Sequence, residues 1–173
     1  MVIHRFTRTT KLSISDENGD EKMPKISFAM AVYNGENYIE KQIDSIIKQM
    51  MDQDELIISY DKSDDRTLEI IKRYELNYKQ IRVIENRIKG VANNFNNAFY
   101  HSKGDYVFIS DQDDIWDENK RVILCETFEK TGADLIIHNG VNINTEDEII
   151  SNSFFDMYKI SDNFFSYFIV PRY

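Results

Sequence analysis

"YVFISDQDDIW", residues Tyr106 to Trp116, runs a strand-type segment straight into three carboxylates within four positions. Like charges this close repel by about 1 kcal/mol per pair in water-like surroundings, and by more when partly buried. A strand tip built this way calls for a cation. Asp111 and Asp113 form a D-x-D pair whose hard oxygen ligands suit Mg²⁺ or Mn²⁺ while leaving positions for water and substrate phosphates. The competing reading is an acidic turn that caps a helix starting near Asp117, since acids favour helix N-termini. The surroundings of this stretch bear on the choice.

Upstream, "KISFAMAVY" (25–33), "ELIISY" (55–60) and "IRVIEN" (81–86) are apolar runs of strand length, as expected for strands covered on both faces. Downstream, "ADLIIHN" (133–139) reads as a fifth strand, and "VNINTEDEIIS" (141–151) as a hairpin turning at Glu146-Asp147. Apolar residues at helical spacing fall between them. The sets are Ile39, Ile43, Ile46, Ile47 and Met50, then Leu68, Ile71, Tyr74 and Tyr78, then Val91, Phe95, Ala98 and Phe99. A further helix is expected from about residue 117 to 130. Alternating strands and helices imply right-handed crossovers and a mostly parallel, doubly wound α/β sheet. Residues 1–24 are polar up to Pro24 and read as a flexible leader.

With 173 residues, 42% of them hydrophobic, the chain has the size and composition of one domain with a real core. Its net charge of −9 argues against a protein that coats nucleic-acid phosphates. No apolar run approaches the roughly 20 residues needed to cross a bilayer, and the N-terminus lacks the apolar stretch of a secretory signal. The expected setting is cytoplasmic, at most peripheral at a membrane. The single cysteine, Cys125, leaves no internal disulfide framework and no multi-cysteine zinc site; its spacing marks a small core residue.

In open α/β sheets ligands bind beyond the carboxyl ends of the strands. The segments "YNGE" (33–36), "SYDKSDD" (59–65), "NRIKG" (86–90) and "DQDD" (111–114) therefore fall on one edge. Asp61 could accept a hydrogen bond from a base N–H or a ribose hydroxyl, or merely form a turn that contributes little to the core. Tyr33 could stack on a base or fill core. Gly90 frees the backbone for close approach at a helix start, or makes a plain turn. Asp64 and Asp65 are N-cap candidates. Asn93, Asn94, Asn96 and Asn97 read as a solvated helix face, and His101 and His138 lack metal-ligand spacing.

Together, "ISFAMAVYNGENYIEKQIDSIIKQ", "ELIISYDKSDDRTLEII", "IRVIENRIKGVANNFNNAF" and "GDYVFISDQDDIWDENK" resemble the family 2 glycosyltransferases, inverting enzymes of the GT-A fold, and their rhamnosyltransferase-like branch in particular. The resemblance runs from about residue 25 to 150. It implies a Rossmann-like, mostly parallel sheet flanked by helices, here incomplete at its C-terminal end. It implies Asp113 as direct ligand of Mn²⁺ or Mg²⁺, Asp111 as a ribose or metal-shell contact, and Ala31, Tyr33 and Asp61 as nucleotide contacts. The implied reaction carries a sugar from a UDP- or dTDP-linked donor to a hydroxyl of a saccharide or lipid-linked acceptor, in bacterial surface polysaccharide synthesis.

The sequence departs from the family pattern in places. Tyr60 stands where an acid is usual, Lys62 where a glycine is usual, and Ala31 where the first strand usually has proline. Residues 151–173 read as the start of an acceptor-side segment, and no acid follows Asp162. The expectation is thus a donor-binding half without its general base, its catalytic residue unknown. The aromatic tail from Phe154 to Tyr173 is expected to promote self-association if exposed. Two rivals stand beside this reading. One is a nucleotide-sugar-binding module that transfers nothing. The other is a nucleotidyltransferase, which would need a basic, glycine-rich phosphate loop that "AVYNGENY" lacks.

Overall fold

A computed structural model describes residues 2–4, 14–15 and 21–157, and its centre is the fully buried run Ile26–Val32. The elements in chain order begin β1 (Val2–His4), β2 (Ile14–Ser15), β3 (Glu21–Lys22), β4 (Ile26–Val32), α1 (Ile39–Ile47), β5 (Glu55–Tyr60), α2 (Thr67–Asn77) and β6 (Ile81–Glu85). They continue with α3 (Val91–His101), β7 (Tyr106–Asp111), β8 (Ile115–Trp116), α4 (Lys120–Thr131), β9 (Val141–Ile143), β10 (Ile149–Ser151) and α5 (Phe154–Met157). The main sheet has the order β6-β5-β4-β7 with every pair parallel. A second sheet, β10-β9-β1-β8, pairs β1 parallel to β8 and antiparallel to β9. Part of the segment expected to be an irregular leader is therefore paired, including β2 with β3.

Alternation along β4 decides what covers each face. Phe28, Met30 and Val32 join Ile39, Ile43, Ile46, Leu56, Ile58, Ile71, Trp116 and Cys125 in the larger core. On the other face Ala29, Ile57 and Ala98 form a smaller cluster, where short side chains let α3 lie close to the sheet. Cys125 is fully buried, as expected of a core residue, and burial pushes its thiol up to about 11.

Two helices present different stripes from those the spacing suggested. In α2 the buried set is Thr67, Ile70, Ile71 and Tyr74, whereas Leu68 and Tyr78 are exposed. In α3 Val91 and Phe99 are exposed, and Asn94 and Ala98 are buried. Two asparagines take the inward positions because the strand ends offer them partners. Asn94 donates Nδ2–H to the Val32 carbonyl at 3.0 Å, and Asn97 donates to Ser59 Oγ at 2.8 Å. Asn93 and Asn96 are exposed, as a solvated face requires.

The expected fifth strand, residues 133–139, is not a strand. A strand exists through its ladder, and this apolar segment pairs with none of the described strands; Leu135 and Ile137 are exposed. The hairpin does form from β9 and β10, with Asp147 at φ 63° and Asn144 Oδ1 accepting from the N–H groups of Glu146 and Glu148. Most of the aromatic tail and Asp162 lie outside the described residues.

Opposite the strand tips, a buried ion pair ties α4 to the base of β4. Arg121 Nε and Nη2 donate to Asp54 at 3.0 and 3.2 Å, and Asp54 also accepts from the N–H groups of Ile26 and Met51 at 2.8 Å each. Gly104, before β7, lies so close to β4 that a Cβ there would sit 2.4 Å from Ser27 N and 2.8 Å from Ile26 C. Both neighbours are backbone and cannot yield cheaply. Gly104→Ala should therefore cost about 1–3 kcal/mol, the range for overpacking, read by denaturant unfolding.

Candidate active site

Register puts the ends of β4, β5 and β7 level: Ala31 pairs with both Ser59 and Asp111, and Val32 with Tyr60. Their following loops, with the turn after β6, enclose one cleft of about 400 Å³. Ala31, Tyr33, Asp61, Asp111 and Asp113 all line it. Residues from separate rounds of the strand–helix rhythm, singled out from sequence alone, thus meet in one place.

The loop after β4 is held by its neighbour after β5. Asn34 N–H donates to Ser63 Oγ at 2.9 Å, Gly35 N–H to Thr67 Oγ1 at 2.7 Å and Glu36 N–H to Asp65 Oδ2 at 3.1 Å. In return Asp64 N–H donates to Asn34 Oδ1 and Arg66 N–H to Glu36 Oε2. Neither Asp64 nor Asp65 is the N-cap of α2, a position that Arg66 takes without a side-chain cap; Asp65 accepts from Thr67 N–H at 3.0 Å in the turn before it. Tyr60, in the place of an acid, buries its ring and accepts from Ser63 N–H at 2.9 Å. The substitution thus serves the turn.

Gln112, which the sequence offered only as the spacer of D-x-D, fixes Tyr33. It accepts from Tyr33 N–H and donates to the Tyr33 carbonyl, both at 2.8 Å. Gly35 makes room for it, since a Cβ there would lie 2.6 Å from Gln112 Oε1. The Tyr33 ring is exposed, so it does not fill core, and the Lys89 ammonium lies 4.2 Å from its centroid.

Asp61 is buried and already engaged. Its Oδ1 accepts from Asn86 Nδ2 at 2.7 Å and its Oδ2 from Gly90 N–H at 3.0 Å. It therefore holds the turn that begins α3, where Gly90 has φ 131°, a value that favours glycine. The expectation that it contributes little to the folded structure fails on these bonds. Asp61→Ala should lower the melting temperature, because a charged acceptor of two hydrogen bonds is worth about 1.5–3 kcal/mol per bond. Asp61→Asn keeps an acceptor and should lose less.

The acidic tip is under electrostatic stress. Asp111 borders solvent yet is hemmed in by the cleft walls; that desolvation, then the charges of Asp114 and Asp113, raise its carboxyl from 3.8 to about 6. A divalent cation would offset the repulsion from Asp114 and Asp113 and favour the ionised carboxylate against the desolvation, so the donor chemistry fits one. Among the described residues no three His, Cys, Asp or Glu side chains group as a metal cage. Mg²⁺ is commonly held without such a cage, by one or two carboxylates plus substrate phosphates.

Asp117 does not open the following helix. It accepts from Asn119 N–H at 3.0 Å, and α4 starts at Lys120. The capping alternative therefore does not account for Asp111 and Asp113, which face the cleft instead. Lys120 is buried with its ammonium 3.7 Å from the Trp116 ring centroid, and burial lowers it to about 7 against the opposing pull of Asp114.

Residues 27–170 match the family described as Glycosyl transferase family 2. The chain belongs to this family. A dTDP-rhamnosyl transferase, RfbG of Shigella flexneri, is 40% identical over 107 residues, covering 57% of this chain and 37% of that protein. The S. aureus TarS structure in complex with UDP-GlcNAc superposes with TM-score 0.57 at 24% identity, over 64% of this chain and 32% of that one. A mannosyltransferase from Pyrobaculum calidifontis, in complex with GDP-Man and Mn2+, gives 0.55 at 22%, over 65% and 34%.

This family 2 chain thus spans about a third of the length of these proteins. Its parallel sheet flanked by helices is the GT-A architecture of its structural neighbours. Family membership removes the nucleotidyltransferase alternative. No helix among the described residues is long and apolar enough to cross a membrane.

Proposed function

We propose that this chain is the donor-binding part of a glycosyltransferase that uses a UDP- or dTDP-linked sugar and a hydroxyl acceptor, saccharide or lipid-linked, in bacterial surface polysaccharide synthesis on the cytoplasmic side. The observation that carries the reading is the convergence of Ala31, Tyr33, Asp61, Asp111 and Asp113 on one cleft. Tyr33, held by Gln112, offers a ring face to a base. Asp61 retains lone pairs for a base N–H or ribose hydroxyl beyond its two present bonds. Asp113, with Asp111 beside it, would hold Mn²⁺ or Mg²⁺. The chemistry such an ion supplies is neutralisation of the departing diphosphate.

In the whole reaction the acceptor oxygen bonds to the anomeric carbon as the bond to the diphosphate oxygen breaks, and the acceptor proton passes to a general base. The carboxylates that line the cleft among the described residues are Asp61, Asp111 and Asp113, none of them suited to be that base: the first is engaged and the others are assigned to the metal. This favours, as second reading, donor binding with slow hydrolysis and little transfer by these residues alone.

Calorimetric titration with UDP and dTDP, with and without Mn²⁺, followed by an assay of sugar release from the matching donors, tests both. Metal-dependent binding with slow release is expected. Robust transfer to an added acceptor would place a base among the residues set aside, and absence of any nucleotide binding would remove the proposal.

A further inference from the structure

Helix α3 is unlike the other helices in carrying no Asp, Glu, Lys or Arg. In a chain with 29% charged residues, α1 carries Glu40, Lys41 and Asp44, and α2 carries Glu69, Lys72, Arg73 and Glu75. A helix face that meets only water is ordinarily charged in this way. On α3, Asn93, Asn96, Asn97, Tyr100 and His101 fall at i, i+3, i+4, i+7 and i+8 and form one stripe instead. The stripe is half-buried at Asn97 and His101 and exposed at the other three. It makes one wall of a cleft of about 780 Å³, whose other wall is the end of β6 and the turn 86–88. That size lies within the about 300–1,000 Å³ of small-ligand sites.

The walls are held in place before any ligand arrives. Asn97 Nδ2–H donates to Ser59 Oγ at 2.8 Å, which leaves its Oδ1 as an acceptor. His101 Nδ1–H donates to the Asn97 carbonyl at 2.8 Å, since a carbonyl can only accept, and the neutral ring then keeps Nε2 as an acceptor. The Tyr100 ring, 86% exposed, stands edge-to-face against His101 with centroids 5.3 Å apart. Across the cleft, Asn86 closes the turn by donating to the Ile88 carbonyl at 2.8 Å. The two ionised side chains that line the cleft, Glu85 and Arg87, are opposite in charge.

We propose that this cleft binds a neutral oligosaccharide. A pyranose ring has an apolar C–H face that packs on an aromatic ring, and hydroxyls that each donate and accept. Tyr100 supplies such a ring with a polar tip. An amide pairs with hydroxyls in both directions, donating through Nδ2 and accepting through Oδ1. Asn93 and Asn96 bring both groups, with Asn97 Oδ1 and His101 Nε2 as further acceptors. A stripe without charge gives an ion little to pair with, whereas it matches a polyol in kind. This cleft shares no lining residue with the donor cleft. The two abut at Asn86, which lines this one and donates to Asp61 of the other at 2.7 Å. A saccharide chain held here stays beside the transfer site between additions, which raises its local concentration there. That role rests on the proposed function; the binding itself does not.

NMR shifts of backbone and side-chain amides of the full 173-residue chain, followed without nucleotide or metal, test the site independently of donor binding. The probes are maltotetraose, laminaritetraose and chitotetraose, with inorganic phosphate as the charged control. At least one of the sugars should saturably shift residues 86–88 together with 93, 96, 97, 100 and 101, and leave 111–114 in place. Tyr100→Ala, and separately the pair Asn93→Ala and Asn96→Ala, should weaken this binding by about three- to tenfold, the worth of a lost ring contact or hydrogen bond. Tyr100→Phe keeps the ring and should bind as the wild type does. All three are surface changes, so the melting temperature should hold. No shift in this set with any of the sugars overturns the proposal, as do shifts that both alanine variants leave unaltered. Shifts with phosphate alone would mark an anion site at Arg87, and shifts that follow protein concentration in place of sugar would mark a face between two copies; either overturns it too.

Discussion

Asp113→Ala should weaken Mn²⁺-supported binding of UDP or dTDP by more than about 100-fold, since loss of even an outer-shell partner of a metal ligand costs about 10–100-fold. The diphosphate would then face Asp111 and Asp114 without a bridging cation. Loss of the free Mn²⁺ signal in electron paramagnetic resonance, followed as nucleotide is added, reads this directly. The signal should fall for the wild type by more than the nucleotide alone removes by chelation, and for the variant by no more than that. Unchanged, metal-independent nucleotide binding in Asp113→Ala would sink the assignment.

The second large effect is on stability. Arg121 and Asp54 are both about 2% exposed, and removing one member leaves the other as an uncompensated buried charge. Asp54→Ala and Arg121→Ala should each cost about 3–5 kcal/mol. For a chain of this size that is a fall in melting temperature of about 6–20 °C. Asp54→Ala also strands the N–H groups of Ile26 and Met51. The double variant should cost clearly less than the sum of the two, because the same interaction is removed only once. Strict additivity in a denaturant-unfolding cycle would mean that the pair is not coupled.

A third effect follows from Asp111, whose carboxyl is raised to about 6. A group with a raised folded-state value holds its proton more tightly in the native than in the unfolded chain. Ionising it as pH rises from about 4 to about 6 therefore removes stability in the absence of metal. Asp111→Asn should melt higher than the wild type near neutral pH without metal, and this advantage should shrink below about pH 4. Metal-dependent nucleotide binding by the wild type should weaken as pH falls from about 7 to about 5, where the carboxyl takes up its proton. A variant that melts lower at neutral pH would mean that the acidic tip is not under strain.

What could be read in the sequence follows from where its information is local. The central strands β4 and β5 were legible because each is buried on both faces and so reads as an apolar run, as in Ile26–Val32, whereas β6 and β7 are partly exposed and show as shorter apolar stretches. The edge at which Asp61, Asp111 and Asp113 meet followed from strand polarity alone. Less local features were hidden. The inward stripe of α3 was misread because Asn94 and Asn97 bond to strand ends that apolar spacing cannot register. Residues 133–139 have the composition of a strand, yet a ladder needs a partner that composition does not supply.

Gln112 and Gly35 gave no signal, because their relation is a close approach across 77 positions of sequence. A glutamine between two acids looks like a spacer until its amide is seen paired with the backbone of Tyr33.

The central claim is that the loops after β4, β5, β6 and β7 form a single metal-dependent nucleotide cleft. Paramagnetic broadening of backbone amide resonances by substoichiometric Mn²⁺, with and without UDP, tests it residue by residue. Broadening should centre on residues 111–114 and reach Ala31 to Gly35, Asp61 and Lys89-Gly90, and it should strengthen when UDP is added. Broadening that centres instead on the acidic turn Glu146–Glu148, or that is indifferent to UDP, would contradict it.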